Sequence, residues 1–416
     1  MKKTYALVGA GSRAYYMFAL PMVSDELNSY VQLDGVYDKN RKRAELLSAA
    51  CGGVPVYDSF EAMLAGARPD TVVVASTDST HHTYIIAALE AGCDVITEKP
   101  MTTTGPYAAA ILEAERRTGR TVTVTFNLRF APYFAQVKSL IAAGEIGEVQ
   151  HIALEYYLNR IHGADYFRRW HAEMANSGGL LVHKSTHHFD IINWWMDSRP
   201  TEVHAYGGRR FYGPTREERG ERCLTCDYQD RCDFYLDIRQ DEFMASRFLE
   251  AEQEDGYLRD RCVFDERIDI YDTMSVHVRY DSGSLLTYSL LAFSPDEGWR
   301  ATVTGSKGKL ELANLYSNAD LRGESTSEIR LLLPGQPVRT IEIDTGADGH
   351  GGGDAKLRSM LFGEPGTPDP LGQQAGSEAG ALSLLIGAAA NLSIEERRPV
   401  AIDEQMGAAV PAGERR

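Results

Sequence analysis

Apolar positions in the first 127 residues follow two alternating spacings. Short apolar runs recur at Tyr5–Val8, "VQLDGVYD" (31–38), "TVVVAST" (71–77), "DVITEKP" (94–100) and "TVTVTFN" (121–127). Their length and their Val, Ile and Thr content predict strands buried on both faces. Between them, "NRKRAELLSAA", "SFEAMLAGA", "HHTYIIAALEAG" and "YAAAILEAERRTG" carry the pattern of helices. Strands alternating with helices predict a doubly wound parallel sheet, which binds ligands beyond the carboxyl ends of its strands. Ser76, Thr77, Glu98, Lys99 and Asn127 all fall at those ends. The segment predicts an α/β fold with an N-terminal Rossmann dinucleotide-binding domain.

The first strand runs into Gly9-Ala10-Gly11-Ser12-Arg13-Ala14, a G-x-G-x-x-A turn. Glycine is needed where the backbone turns sharply and where it approaches a pyrophosphate, so Gly9, Gly11, Ser12 and Arg13 are expected cofactor contacts. A glycine turn alone is a weak signal; the second strand strengthens it by ending in Asp38. An acid there accepts hydrogen bonds from ribose hydroxyls and repels a 2′-phosphate, favouring NAD over NADP. Lys39 and Arg41 follow at once and temper that preference.

The composition narrows the classes. The chain has 416 residues, 43% hydrophobic and 25% charged, and a net charge of −16. That length predicts two or three domains, and that charge opposes binding to nucleic acid or to an anionic membrane surface. The apolar run after the initial Met-Lys-Lys is too short for a secretory leader, and Gly380–Ala390 is too short to span a bilayer. Six cysteines in this length do not form a disulfide scaffold, so a cytoplasmic protein with free thiols is expected.

"STDSTHHTYIIAALEAGCDVITEKPMTTT" resembles the glucose–fructose oxidoreductase / inositol dehydrogenase / MocA (Gfo/Idh/MocA) family. The likeness continues through "FNLRFAPYFAQVKSLIAAGEIGEV", "SGGLLVHKSTHHFDIINWW", "VTGSKGKLEL" and "RPVAIDEQ", in order and over nearly the whole chain. It implies a second, C-terminal α/β domain with an open, mostly antiparallel sheet, completed here by "SLLTYSLLAF", "WRATVTG", "GKLELAN" and "EIRLLLPG". It also implies a nicotinamide cofactor, a sugar or cyclitol substrate, and assembly as a homodimer or homotetramer. The expected boundaries are 1–126 for the nucleotide domain, 127–403 for the second domain with an insertion at about 207–265, and 404–416 for a frayed tail. A helix is expected over about 378–392, packed against the body. Carried over by position, Lys99 touches cofactor and substrate, His81 follows the Ser76-Thr77-Asp78 turn, His82 is its helix-face neighbour, and Pro100 follows a cis bond. Asp78 stands where the family's turn ends in a residue like Asn.

"HKSTHHFD" (183–190) is the densest titratable window in the chain. His187 and Asp190 match the family's histidine and second aspartate, while His183 replaces its first aspartate. His183 and His187, at i and i+4, could share a metal on one helical face, but no Glu and no third ligand accompany them. His188, and alternatively His183, can be packing residues. The stronger reading is catalytic, because oxidation of an alcohol needs a proton acceptor near neutral pKa. His187 is the expected acid/base, Lys99 its electrostatic partner or a proton relay, and His183 a hydroxyl ligand or second base; Asp190 orients the region or caps the helix "DIINWWM".

Arg168 and Trp170 in "DYFRRWHAEMANSGG", which also offers Arg169 and His171 as pocket lining, and His350 and Asp354 in "DGHGGGDAKLRSML" are expected substrate contacts, as are Arg129 and Tyr156. Cys223, Cys226, Cys232 and Cys262 form C-x2-C-x5-C-x29-C inside the charged insertion. Four thiolates make a closed shell for structural zinc, and a polar segment without a core would gain order from it. The leading reading is an NAD-dependent dehydrogenase of a sugar, glycoside or cyclitol. The alternatives are an NAD-dependent glycosidase or lyase working by transient C3 oxidation and elimination, and a sensor that binds without turnover.

Overall fold

The structure is a computed structural model and describes residues 2–317, 326–343 and 350–407. Five parallel strands open the chain: β1 (Lys3–Val8), β2 (Val31–Tyr37), β3 (Thr71–Val74), β4 (Asp94–Thr97) and β5 (Val122–Val124), in the order β5-β4-β3-β1-β2. Every residue of β3 is buried, as in a sheet covered by helices on both faces. Local chemistry starts the helices where the pattern placed them. Asn40 caps Arg41–Ala50 by accepting from Arg43 N at 3.1 Å, and Ser59 caps Phe60–Ala67 by accepting from Ala62 N at 3.0 Å. Gly119, at φ +65, ends Gly105–Thr118 in a left-handed conformation that favours glycine. Because β1 lies between β2 and β3, the strand order reverses there, and a cleft opens at the carboxyl ends.

The second sheet is built from β6 (Val149–Asn159), β7 (Pro200–Gly208), β8 (Thr273–Tyr280), β9 (Leu285–Ser294), β10 (Glu297–Gly305), β11 (Lys309–Ser317), β12 (Thr326–Leu332) and β13 (Arg339–Glu342). Two-residue strands β14 (Ala375–Gly376) and β15 (Val400–Ala401) complete the first and second sheets. The second sheet has nine strands in the order β13-β12-β11-β10-β6-β9-β8-β7-β15; β6 and β9 are parallel and the other pairs antiparallel. Along β8 buried residues alternate with partly or fully exposed ones, so one face is covered and the other open.

Helices Thr186–Met196 and Ser377–Glu396 cover the inner face. Phe189, Ile192 and Trp195 are buried there, each adding about 1.5–3 kcal/mol of hydrophobic stabilisation. Ser377–Glu396 is longer than the apolar run suggested: with 20 residues and mean hydropathy 1.3 it has the length and composition to cross a membrane. In this fold it is a core helix. A Cβ on its Gly387 would lie 2.2 Å from the Leu181 carbonyl oxygen, so glycine permits the close approach of the segment that carries the histidines. At the C-terminal end, Ile402–Gly407 is helical and Glu404 pairs with Arg398 at 2.8 Å, where a frayed tail was expected from 404. Residues 408–416 of that expected tail lie outside the described residues.

The insertion does have a core. Phe167 stacks on Tyr212 at 4.2 Å, Phe211 on Phe293 at 4.8 Å, and Phe234, Phe264 and Ile268 are buried around them. At its root the buried Asp272 carboxylate accepts from the amides of Arg210, Phe211 and Tyr212 at 2.7–3.0 Å. The four cysteines converge on one small pocket, but the described residues contain no group of three or more His, Cys, Asp or Glu side chains placed to hold an ion. The expected zinc shell is therefore not supported. Arg168 Nη1 donates to Cys223 Sγ at 3.0 Å and Arg216 Nη2 to Cys232 Sγ at 3.1 Å, while aromatic packing supplies the order that a metal was expected to provide.

Candidate active site

A cleft of about 690 Å³ runs from the glycine turn after β1 to the histidine segment of the second domain. At its first end Gly9 has φ +96, and a Cβ there would lie 2.4 Å from the Ala75 carbonyl oxygen. At Gly11 a Cβ would meet nothing within 4 Å, so bare backbone faces open space where a pyrophosphate needs to approach. Asp38 directly follows β2 in the cleft wall, accepting from Ala10 N and Asn40 N at 2.7 Å each. Burial raises its pKa, with Arg43 opposing. These residues fit a dinucleotide.

Further along, Arg13 Nε donates to Glu98 Oε1 at 2.7 Å, and its two terminal nitrogens donate to the Asp354 carboxylate at 3.0 Å each. Asp354 also accepts from Asn127 Nδ2 at 2.7 Å and pairs with His350 Nδ1 at 3.0 Å. Burial works to raise the Asp354 pKa, but His350 and Arg13 overcome it and hold the carboxyl far below the usual range. Ser76 and Thr77 line the cleft beside His81, whose two nitrogens face the carbonyls of Pro100 (2.9 Å) and Ser76 (3.1 Å). His81 thus ties two cleft loops together. The Lys99–Pro100 peptide is cis.

At the far end Lys99 Nζ donates to the His183 carbonyl at 3.1 Å across 84 residues of sequence. Burial lowers its pKa while Asp78 and Glu98 oppose. His183 and His187 both line the cleft, on separate short helices, Leu180–His183 and Thr186–Met196. A turn at Lys184-Ser185 separates the two helices, and the described residues contain no group of three or more His, Cys, Asp or Glu side chains that would make the pair a metal site. Burial, then the charge of Lys99, keeps both imidazoles neutral well below their ordinary pKa. His183 Nδ1 meets Asp78 Oδ2 at 2.5 Å. His187 Nδ1, His171 Nδ1 and Asn127 Oδ1 are buried without a hydrogen-bond partner among the described residues. His188 instead turns inward, its Nδ1 pairing with Tyr288 Oη at 2.9 Å.

Lining the cleft as expected substrate contacts are Trp170 and His350. Four other expected contacts are engaged elsewhere. Arg129 forms a buried two-point pair with Asp190 (2.5 and 2.7 Å). Arg168 is buried in the insertion, donating to Cys223 Sγ and to the carbonyls of Arg261 and Phe234. Tyr156 lies buried against the His188 ring at 4.3 Å. Asp354 sits beneath the cleft wall, committed to Arg13 and Asn127. The three charged groups are compensated by partners in the interior, and Tyr156 packs its ring there.

Arg169 and His171 line the cleft beside Trp170, whereas Asp78, Lys184 and the roof supplied by the insertion were not expected in the lining. Lys184 is buried over the Tyr156 ring at 5.2 Å, and burial, then Lys99, pulls its pKa down to about 8. Its place in the histidine octet was the signal available. The roof had none: Phe248, Asp255 and Tyr257 reach the nucleotide end of the cleft, Asn40 Nδ2 donates to the Ala251 carbonyl at 2.8 Å, and Arg43 pairs with Asp255.

A glycine-turn Rossmann domain whose cleft ends on its own Lys99 and on histidines of a second α/β domain defines a two-domain nicotinamide oxidoreductase. Residues 3–126 match the oxidoreductase family's NAD-binding Rossmann fold and residues 138–402 its C-terminal alpha/beta domain, so the chain belongs to the Gfo/Idh/MocA family. A Bacillus subtilis (strain 168) protein named "Putative oxidoreductase YteT" is 38% identical over 97% of this chain and 98% of its own length. D-glucoside 3-dehydrogenase of Escherichia coli (strain K12) is 31% identical over 35% of this chain and 40% of its own. In fold, the chain is similar to the WlbA dehydrogenase from Bordetella pertussis, solved in complex with NADH and UDP-GlcNAcA, with TM-score 0.66, 17% identity, and 96% and 99% of the two chains covered.

Proposed function

We propose that the protein is an NAD-dependent dehydrogenase of a sugar, glycoside or cyclitol hydroxyl. The observation that carries this reading is the convergence of Lys99, His183 and His187 at the end of the cleft that begins at Gly9 and Gly11. A nicotinamide bound there supplies the hydride acceptor. Lys99 stabilises negative charge on the substrate oxygen, and a neutral imidazole takes the proton. Trp170 offers a face for a sugar ring. NAD rather than NADP is favoured because a 2′-phosphate beside Asp38 would also meet Asp255, and the nearby cations Lys39 and Arg43 are both paired with Asp255.

The roof favours a second reading. Contacts from Ala251 and Asp255 to Asn40 and Arg43 cover the nucleotide end, which suits a cofactor retained through repeated turnovers, as in a glycosidase or lyase that oxidises C3 transiently. Both readings meet in one assay, with aryl glycosides and free sugars as substrates and NADH absorbance and released phenol as signals. Net NADH is the expected result. Phenol without net NADH replaces the dehydrogenase with the redox-cycling enzyme; neither signal, with NAD and sugar binding intact, overturns both in favour of a sensor. Enclosure also predicts that purified protein releases NAD(H) on heat denaturation, at about one per chain if exchange is slow. Nucleotide-free protein that binds NADH rapidly and reversibly would remove the support for retention.

A further inference from the structure

Position 183, where the resemblance places an aspartate, carries histidine, and a carboxylate reaches it from the turn after β3. Asp78 Oδ2 lies 2.5 Å from His183 Nδ1 across 105 residues, and both side chains are buried. We propose that Asp78 and His183 form a proton-transfer dyad in which Asp78 holds the Nδ1–H tautomer and leaves Nε2 to accept the substrate hydroxyl proton. The dyad rests on the dehydrogenase reading for its substrate and refines which histidine does the work.

Geometry separates the two histidines. A neutral imidazole is a base only at the nitrogen without hydrogen, and a partner on the other nitrogen selects which one that is. His183 has such a partner; His187 Nδ1 has none among the described residues, so nothing selects its tautomer. The ring of His183 is further held by His171 at 4.2 Å, Tyr166 at 5.5 Å and Trp170 at 5.6 Å, and its backbone carbonyl by Lys99. The charged and titratable groups facing the pair are Lys99, Arg169, His171 and Lys184 around His183, and Lys99, Glu98 and Arg169 around Asp78. Burial raises the Asp78 pKa well above the ordinary carboxylate value, and the Lys99 and Arg169 charges oppose it. The dyad requires the carboxylate form, with Nδ1 donating and Asp78 accepting, and the measured tautomer of His183 decides it.

The step is a proton transfer. The substrate O–H bond breaks, its electron pair stays on oxygen beside Lys99, and an N–H bond forms at Nε2. The imidazolium produced is balanced by Asp78, as an orienting carboxylate does for a catalytic histidine elsewhere. Asp78 is a positioning residue, since it acts through His183.

Full-length protein with ¹⁵N-labelled histidine tests the tautomer directly. A hydrogen-bonded Nδ1 proton that disappears in His183→Gln is expected; a His183 ring protonated on Nε2 instead overturns the dyad. In Asp78→Asn the amide cannot impose the tautomer, so kcat should fall about 10²–10⁴-fold with KM and NADH affinity nearly unchanged, and Asp78→Glu should recover part of the loss. Turnover of Asp78→Asn close to the parent's also overturns it. If Asp78→Asn fails to fold, the tautomer in the parent protein decides alone. A protein that shows the Nδ1 proton yet acts on no sugar or glycoside keeps the dyad and loses the dehydrogenase reading.

Discussion

Replacing Lys99 with methionine is expected to lower kcat by about 10²–10³-fold, the loss typical of removing one donor from developing oxyanion charge. Among the described residues the ammonium makes one hydrogen bond, to the His183 carbonyl at 3.1 Å, and no carboxylate pairs with it. Its charge therefore remains available to a ligand. Burial lowers the Lys99 pKa, and Asp78 and Glu98 offset only part of that. Methionine keeps the length and apolar stem, so the change isolates the charge. NADH affinity, read by fluorescence titration, should move only a few-fold, because the glycine turn and Asp38 stand at the other end of the cleft. Parent-like turnover in Lys99→Met would remove the electrostatic role.

The other large effect concerns stability. Arg129→Ala should cost about 3–5 kcal/mol, because it leaves the Asp190 carboxylate buried without its partner. Both groups are buried and joined by two short hydrogen bonds, and no other cation pairs with Asp190 among the described residues. In the parent protein burial already raises the Asp190 pKa and Arg129 opposes it, so removing Arg129 raises it further. A carboxyl with a raised folded pKa binds more protons folded than unfolded, so stability falls as pH rises through that window. The deficit should be full near neutral pH and shrink as pH falls towards about 3.9, the ordinary aspartate value. Urea unfolding at several pH values measures it, and the folded fraction of Arg129→Ala should keep a parent-like KM. A raised KM with unchanged stability would return Arg129 to the substrate pocket where the sequence pattern placed it.

Local rules were readable residue by residue. Asn40 and Ser59 stand where helices begin because their side chains satisfy exposed amides, and both caps are visible in sequence. Gly9 was legible because only glycine tolerates its φ at so close a strand crossing. Lys99, His183 and His187 stood out in the sequence because each follows a strand end or sits in a dense titratable run, and the fold brings those places to one cleft. The fold engages Arg129, Arg168, Tyr156 and Asp354 with partners that lie far away in sequence, which no local pattern shows.

The insertion shows the same limit. Its cysteines gather as their spacing suggested, but its order comes from aromatic residues contributed by segments on both sides of it, and its contact with Asn40 and Arg43 has no sequence signature. By itself the sequence determined the alternating strands and helices, the glycine turn and the residues presented at the strand ends, because backbone geometry and solvent exposure act over a few residues. Only the tertiary structure decided that Asp78 meets His183, that Arg129 and Arg168 turn inward, and that the insertion roofs the nucleotide end. Buried charges must find compensation wherever the fold supplies it, and that choice is made across the whole chain.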